Sequence, residues 1–342
     1  MLMVIFGAGA SWDSYERLPP PNVNEYRLPL AKGLFDSRFG DEYRLFPKCG
    51  PLIQRLQRPN INVESVLETF QSEANLYPHR RTQLTSVRYY LNYMLSRCQS
   101  GWTDSVTKGV TNYQTMLDQI AVQRVAGEKV CLVTFNYDTL LEEAITDALD
   151  GVPLNTISDY VASDYKVIKL HGSINWAHPI RNFKAQRSSS QDLISDIIAS
   201  AGALDVDSGS YETVSKDPFQ RSPLRPLYPA LAIPVQNKQE YECPREHRSV
   251  LEQCLPQVTK LLIIGWRANE NLFLDTLDRE GVPKKARIMV VSGSEKGADE
   301  VIGRMMARWG VTGINADIVP ATEGFSNFIF SSEWENFLKA KS

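Results

Sequence analysis

Short apolar runs alternate along this chain with amphipathic stretches, a pattern typical of an α/β protein. The runs that predict buried strands are Leu2–Phe6, Val130–Phe135, Val167–Leu170, Leu261–Ile264 and Arg287–Val291, with a weaker run at Asp317–Val319. Helical spacing of apolar residues predicts helices at Thr139–Leu149, before Gly151, and at Ala298–Trp309, before Gly310. Strands that alternate with helices in this way predict a Rossmann-like parallel sheet.

Two segments interrupt the alternation. Residues 20–127 have helical spacing, most clearly in the stripe Leu84, Val87, Leu91, Met94, Leu95 and Cys98. A connection this long exceeds a simple crossover, so we expect a large helical insertion after the first strand. Residues 181–225 are rich in Ser, Asp and Gly, have little periodicity and predict a polar surface excursion. The predicted Rossmann-like domain therefore comprises residues 1–19 and 128–342, with the excursion inside it.

Composition narrows the class of protein. The 342 residues are 43% hydrophobic and carry a net charge of -3, so we expect no direct nucleic-acid binding. The five cysteines are scattered, odd in number and never spaced as C-x-x-C, which predicts reduced thiols. No apolar run approaches the length of a membrane span, and no cleavable leader pattern precedes the first strand. We therefore expect a cytoplasmic protein without membrane contact.

Three short polar segments follow predicted strands. They are Gly7-Ala8-Gly9-Ala10-Ser11, Thr134-Phe135-Asn136-Tyr137-Asp138 and Leu170-His171-Gly172. The carboxyl ends of parallel strands meet at one edge of a sheet, where α/β proteins bind ligands. A glycine turn there lets the backbone approach a pyrophosphate, with amides pointing at the anion. Trp12 stands where a dehydrogenase fingerprint needs a third small residue, which disfavours a plain Rossmann dehydrogenase.

An amide, a carboxylate and an imidazole are the candidate reactive groups. Asn136 and Asp138 are two positions apart, so in extended backbone both side chains point the same way. Asp138 could equally cap the following helix, and Asn136 could only shape the turn. His171 is one of four histidines and is followed by Gly172, which leaves room for a ligand. Histidine suits a general base near neutral pH.

These segments resemble, in order, the sirtuin signatures G-A-G-x-S, T-x-N-x-D and L-H-G. The resemblance implies NAD as substrate, with His171 as general base, Asn136 orienting the ribose or a water, and Asp138 contacting the nicotinamide. It assigns the phosphates to Gly7, Ala8, Gly9, Ala10 and Ser11. Gly265-Trp266-Arg267 stands at the family's G-T-S or G-Y-S turn, and Ser292 where the adenine-side ribose is contacted. Thr134 and Gly172 complete the predicted cofactor-binding set.

Departures from the family pattern indicate a subfamily. Deacylase-type sirtuins carry a C-x-x-C…C-x-x-C zinc module after L-H-G, whereas residues 177–231 contain no cysteine, and Cys243 and Cys254 are wrongly spaced. We therefore expect no zinc and no other metal. The G-I-P-D-F-R segment is replaced by Glu16-Arg17-Leu18-Pro19-Pro20, and the acyl-lysine loop by Leu231-Ala232-Ile233-Pro234-Val235-Gln236.

The sirtuin-like motifs without a zinc module or an acyl-lysine loop, together with the long helical insertion, are similar to the bacterial sirtuin-like NAD hydrolases of anti-phage defence. This resemblance implies an NAD glycohydrolase that depletes NAD when it is triggered. Such an activity must be gated, by homo-oligomerisation or by a separately encoded activator such as an ATPase or an Argonaute-like protein. Two alternatives stay open: an NAD-dependent protein deacylase or ADP-ribosyltransferase, and a non-catalytic sensor of NAD or ADP-ribose.

Overall fold

A six-stranded parallel sheet forms the centre of the molecule. The computed structural model describes residues 1–15, 23–149, 151–184, 187–235, 238–283, 285–309 and 318–340. The strands are β1 Leu2–Phe6, β2 Val130–Thr134, β3 Tyr165–Lys169, β4 Gly172–Pro179, β5 Glu212–Thr213, β6 Leu227–Leu231, β7 Lys260–Ile264, β8 Arg287–Val291 and β9 Ile318–Ala321. Each apolar run of the sequence forms one strand of the parallel sheet, which confirms the predicted fold class. The predictions at residues 16–20, Gln236, Gly310 and Asp317 lie outside the described residues.

The order of the strands identifies the type of sheet. Across the sheet it is β3-β2-β1-β7-β8-β9. Counted along the chain within this sheet, that is the order 3-2-1-4-5-6 of dinucleotide-binding folds, and the order reverses between β1 and β7. β1 is buried on both faces: Leu2, Val4 and Phe6 belong to one apolar core, and Met3 and Ile5 to the other. This double burial explains why its sequence is continuously apolar.

Helices cover both faces of the sheet. They are α1 Ala8–Trp12, α2 Val23–Tyr26, α3 Gly40–Arg44, α4 Gly50–Leu56, α5 Val63–Glu73, α6 Pro78–Gly101, α7 Asn112–Gln123, α8 Leu140–Ala148, α9 Asp159–Ala162, α10 Ser190–Ala199, α11 Arg245–Cys254, α12 Asn271–Glu280, α13 Glu295–Trp309, α14 Phe325–Phe328 and α15 Ser332–Lys339. A π-helical turn, Trp102–Thr107, follows α6. Within the described ranges, no helix is long and apolar enough to cross a membrane.

The region between β1 and β2 is helical, as predicted. It contains α2 to α7, and the predicted apolar stripe lies buried on the 24-residue helix α6. Tyr113 of α7 packs against Phe6 of β1, with ring centroids 5.1 Å apart. The helical region therefore shares an apolar core with the sheet. The boundaries of the predicted domains remain predictions.

A second, three-stranded antiparallel sheet of order β5-β4-β6 was not predicted. β4 begins directly after His171, so this sheet abuts the carboxyl edge of the parallel one. The expectation of little periodicity in residues 181–225 is wrong for α10, which buries Leu193, Ile194, Ile197 and Ile198. Ser189 caps this helix by accepting a hydrogen bond from the Asp192 amide.

Candidate functional site

Parallel register brings the three predicted segments to one edge of the sheet. Phe6 aligns with Thr134 of β2 and with Ile264 of β7, and Thr134 aligns with Lys169 of β3. The next residues along each strand therefore leave the sheet at the same level. Side-chain contacts between these segments confirm the convergence for the glycine turn and Asn136.

The glycine turn packs tightly against the turn after β7. A Cβ on Gly7 would lie 2.4 Å from the Trp266 Cα, and one on Gly9 would lie 2.8 Å from the Gly265 Cα. Gly265 itself has φ +60°. The Gly7 amide donates to Ile264 O and the Gly9 amide to Gly265 O, each at 3.0 Å, and the Ala10 amide donates to Gly7 O at 2.9 Å. These three amides have backbone acceptors, and the glycines allow the two turns to approach each other closely.

Asn136 is held by its amide nitrogen. Nδ2 lies 3.0 Å from Gly7 O, 2.9 Å from Ser11 Oγ and 3.2 Å from the Tyr113 hydroxyl, so its two protons are shared among three acceptors. The Asn136 backbone amide donates to Thr134 Oγ1 at 3.0 Å. The side-chain oxygen Oδ1 is buried, and no described residue donates a hydrogen bond to it. Nine other buried side-chain atoms of the described residues likewise lack a hydrogen-bond partner, so what distinguishes Oδ1 is its place beside the glycine turn, where a ligand or a water could donate to it.

Tyr113 of α7 is a site residue that sequence reasoning missed. Its hydroxyl lies 2.9 Å from Ser11 Oγ and within hydrogen-bond distance of Asn136. Burial raises the pKa of Tyr113 well above its ordinary value, and the nearby Asp138 charge raises it further. The phenol is therefore neutral. No local pattern in the helical region points to this contact, which the tertiary fold alone creates.

Asp138 is buried beside a lysine. Its Oδ1 accepts a hydrogen bond from the Leu140 amide at 3.2 Å, so it helps to begin α8. Burial raises the pKa of Asp138 above its ordinary value, although the Lys169 charge and the Ser11 hydroxyl lower it. Lys169 Nζ lies 3.0 Å from Glu142 Oε1 and also donates to Asp138 O. The capping role and a position near Asn136 are therefore compatible.

His171 is buried between aromatic rings. Its ring centroid lies 5.0 Å from that of Phe135 and 6.2 Å from that of Tyr137. Burial lowers the pKa of His171 well below its ordinary value, the Lys238 charge lowers it further, and a hydrogen bond with the Phe135 backbone raises it. The imidazole is therefore neutral near pH 7. Lys238 is a second residue that sequence reasoning missed, because it contributes charge from a loop without a motif.

The other predicted residues occupy different positions. Gly172 has φ +79°, and a Cβ there would lie 1.9 Å from Ala230 O, so only glycine fits. Trp266 is buried, stacks on Phe135 with centroids 5.4 Å apart, and donates to Glu270. Arg267 is exposed. Ser292 follows β8, where its amide donates to Ala321 O at 2.9 Å. Within the described residues, no hydrogen bond or ring contact joins Trp266, Arg267 or Ser292 to Asn136.

A separate cleft of about 480 Å³ lies between the π-helical turn after α6, α8 and β4. Its lining is polar and includes Thr139, Glu142, Glu143, Asn175 and Lys216. Asn136, Asp138 and His171 do not line it. Their exposed fractions are only 6%, 7% and 5%. Over the part of the chain that the structure describes, no group of three His, Cys, Asp or Glu residues could hold a metal ion.

Comparisons with known proteins add little. No protein-family model matches the chain, and no curated protein matches it. A likeness exists to a solved structure of a mutant Sir2 homologue in complex with 2'-O-acetyl ADP ribose. It has 13% sequence identity and a TM-score of 0.46, and covers 99% of this chain and 94% of that one. A TM-score this low does not establish a common fold, so the interpretation of the site depends on its own geometry.

Proposed function

We propose that this chain is an NAD glycohydrolase, which cleaves the nicotinamide–ribose bond to give nicotinamide and ADP-ribose. The observation that carries the proposal is the buried Asn136 Oδ1, which has no donor among the described residues. It lies at the edge of the sheet where the strand order reverses, the position at which such sheets bind dinucleotides. His171, whose imidazole is neutral, follows β3, which is separated from β1 by β2.

The chemistry requires a held ribose and an activated water. Nicotinamide leaves as a neutral molecule because the ring is already cationic in NAD, and the sugar becomes oxocarbenium-like. Asn136 Oδ1 can accept a hydrogen bond from a ribose hydroxyl or from the water, and an amide does not compete for a proton. His171 accepts one water proton while the water oxygen bonds to the anomeric carbon. A positioned base of this kind contributes on the order of 10²–10⁴-fold.

Asp138 and the glycine turn take supporting roles in this proposal. The Asp138 carboxylate accepts a hydrogen bond from the nicotinamide carboxamide and fixes the ring. The turn from Gly7 to Ser11 lies against the dinucleotide, and Ser11 Oγ holds the Asn136 amide nitrogen in place. Gly265, Trp266, Arg267 and Ser292 remain proposed adenosine-side contacts. The proposed reaction needs no metal.

Burial of the site supports a gated activity. Asn136, Asp138 and His171 are each less than one-tenth exposed, and such burial is expected of a site that opens only when it is triggered. We propose that self-assembly, or a separate activator such as an ATPase or an Argonaute-like protein, opens the site. The biological role would then be anti-phage defence by NAD depletion.

Product analysis tests the proposed reaction. The purified chain is incubated with NAD, with and without a candidate activator, and nicotinamide and ADP-ribose are quantified by chromatography. His171→Ala and Asn136→Ala should each lower the rate by at least about 10²-fold. His79→Ala, at an exposed histidine, is the matched control and should leave the rate unchanged. A chelator should have no effect.

Two outcomes contradict the proposal. The first is absence of nicotinamide release under every condition, with tight NAD binding by calorimetry, which favours a sensor. The second is acetyl-ADP-ribose formation accelerated by an acetyl-lysine peptide, which favours a deacylase. Full activity of either site variant would contradict the role assigned to that residue.

A further inference from the structure

Ala232 and Glu242 hold the backbone around His171. The Ala232 amide donates to His171 O at 3.0 Å, and the Glu242 amide donates to Leu170 O at 3.1 Å. His171 and Glu242 also form an isolated parallel bridge. The position of the imidazole therefore depends on where these two residues, and Glu242 above all, are fixed.

The Glu242 carboxylate joins three further elements. His178 of β4 lies 2.8 Å from Oε1, and the Tyr211 hydroxyl donates to the same oxygen at 3.0 Å. Arg88 of α6 lies 3.6 Å from Oε2 and donates to Leu231 O. A Cβ on Gly172 would lie 3.0 Å from the Glu242 Cγ, so this side chain passes closely beside the residue after His171.

The hydrogen-bond partners of His178 show how it holds Glu242. Its Nδ1 lies 2.8 Å from Ser210 O, and its Nε2 lies 2.8 Å from Glu242 Oε1. Burial raises the pKa of Glu242, but the hydrogen bond from His178 and the Arg88 charge outweigh this, and the pKa lies below its ordinary value. The Glu242 carboxylate is therefore ionised near pH 7 and accepts hydrogen bonds from His178 and Tyr211.

We propose that Glu242 and His178 are positioning residues for His171: His178 holds the Glu242 carboxylate in place, and Glu242 in turn holds the backbone beside the imidazole. The inference rests on the proposed function, because the effect of a displaced His171 is measured as a loss of NAD hydrolysis. Arg88 and Tyr211 also contact the Glu242 carboxylate. Loss of the His178 contact should therefore displace Glu242 and, through it, His171.

Steady-state kinetics of NAD hydrolysis test this inference. Glu242→Gln should lower kcat by about 10–100-fold with little change in KM, since a displacement of about 1 Å costs that much. His178→Ala removes the contact with the carboxylate and should lower kcat in the same way. His178→Gln places an amide donor near the same oxygen and should recover most of this loss. Glu240→Gln, at an exposed neighbour, is the matched control.

Wild-type kcat in Glu242→Gln, or equal kcat values in His178→Ala and His178→Gln, would overturn the inference. A turnover-independent readout separates it from the proposed function. In ¹⁵N-histidine spectra, the four histidines should give resolvable signals. Glu242→Gln should move the His171 signals and Glu240→Gln should not. If these shifts occur without any NAD hydrolysis, the proposed function fails while the positioning stands; unmoved His171 signals overturn the positioning.

Discussion

Asn136 and Asp138 are neighbours in sequence but differ in what the fold leaves available. The Asn136 amide nitrogen is committed to Gly7, Ser11 and Tyr113, so only its oxygen can face a ligand. Asp138 is buried with one oxygen on the Leu140 amide. The spacing in the sequence predicts that both side chains point to the same edge of the sheet. It does not predict which atom of each side chain is left without a partner, because residues distant in sequence supply those partners.

Replacing Asp138 with asparagine should raise the free energy of unfolding and lower the rate of NAD hydrolysis. Its pKa is raised in the folded protein, so above its unfolded pKa the ionised carboxylate opposes folding. Asp138→Asn should therefore increase the free energy of unfolding near pH 7, and this gain should disappear as the pH falls below the unfolded pKa of about 3.9. Hydrolysis should fall about tenfold or more, because a charge-assisted contact to the nicotinamide is lost.

Urea unfolding at several pH values, together with NAD turnover, provides the measurement. Asp147→Asn is the matched control, because Asp147 is an exposed carboxylate on the same helix, α8. It should change neither quantity. If Asp138→Asn were less stable than wild type at neutral pH, the ionised Asp138 carboxylate would stabilise the folded protein, which would contradict this prediction.

At the scale of elements, α6 fixes the segment before β6 to the β4 strand. Asn92 Nδ2 donates to Ile174 O and to Lys216 O, each at 2.9 Å. Arg221 Nη2 donates to Asn92 Oδ1 at 2.7 Å and to Ile174 O at 2.9 Å. Burial lowers the pKa of Arg221 to about 10, which still leaves it charged at neutral pH. These buried, charge-assisted hydrogen bonds therefore attach the segment before β6 to α6 and β4.

Breaking this attachment should loosen residues 215–225. Arg221→Ala leaves Asn92 Oδ1 buried without its donor, so it should cost about 1–3 kcal/mol and expose the segment to limited proteolysis. Arg225→Ala is the matched control, because Arg225 pairs with Glu212 at the surface and its side chain is 59% exposed. It should cost well under about 1 kcal/mol. Equal cleavage rates in the two variants would contradict the attachment.

The strands of the parallel sheet were easier to predict from sequence than those of the antiparallel sheet. Buried parallel strands such as β1 and β7 are continuously apolar, so the sequence reveals them directly. β4 contains Ser173, Asn175 and His178, whose partners come from tertiary contacts, and its polar residues conceal it. α10 has apolar residues at helical spacing, but the surrounding Ser, Asp and Gly residues outweigh that signal. Tyr113 and Lys238 were missed because no local motif marks a residue that reaches the site from a distant segment.

At the scale of the whole molecule, the helical region and the sheet share one apolar core. Phe6 of β1, Leu67 of α5 and Leu91 of α6 belong to the same buried cluster. We therefore expect the intact chain to unfold in one calorimetric transition with equal calorimetric and van't Hoff enthalpies. A separate fragment of residues 23–127 should lack cooperative unfolding by circular dichroism. Two resolved transitions, or a cooperatively folded fragment, would contradict this expectation.

The central position of β1 has a consequence for biosynthesis. Leu2–Phe6 pairs with Val130–Thr134 on one side and with Lys260–Ile264 on the other. At about 5–20 residues per second on the ribosome, its first partner emerges on the order of ten seconds later, and its second later still. Until then a continuously apolar segment has unpaired edges that favour aggregation. The yield of native protein should therefore depend on how well chaperones protect β1 between its own synthesis and the synthesis of β2 and β7.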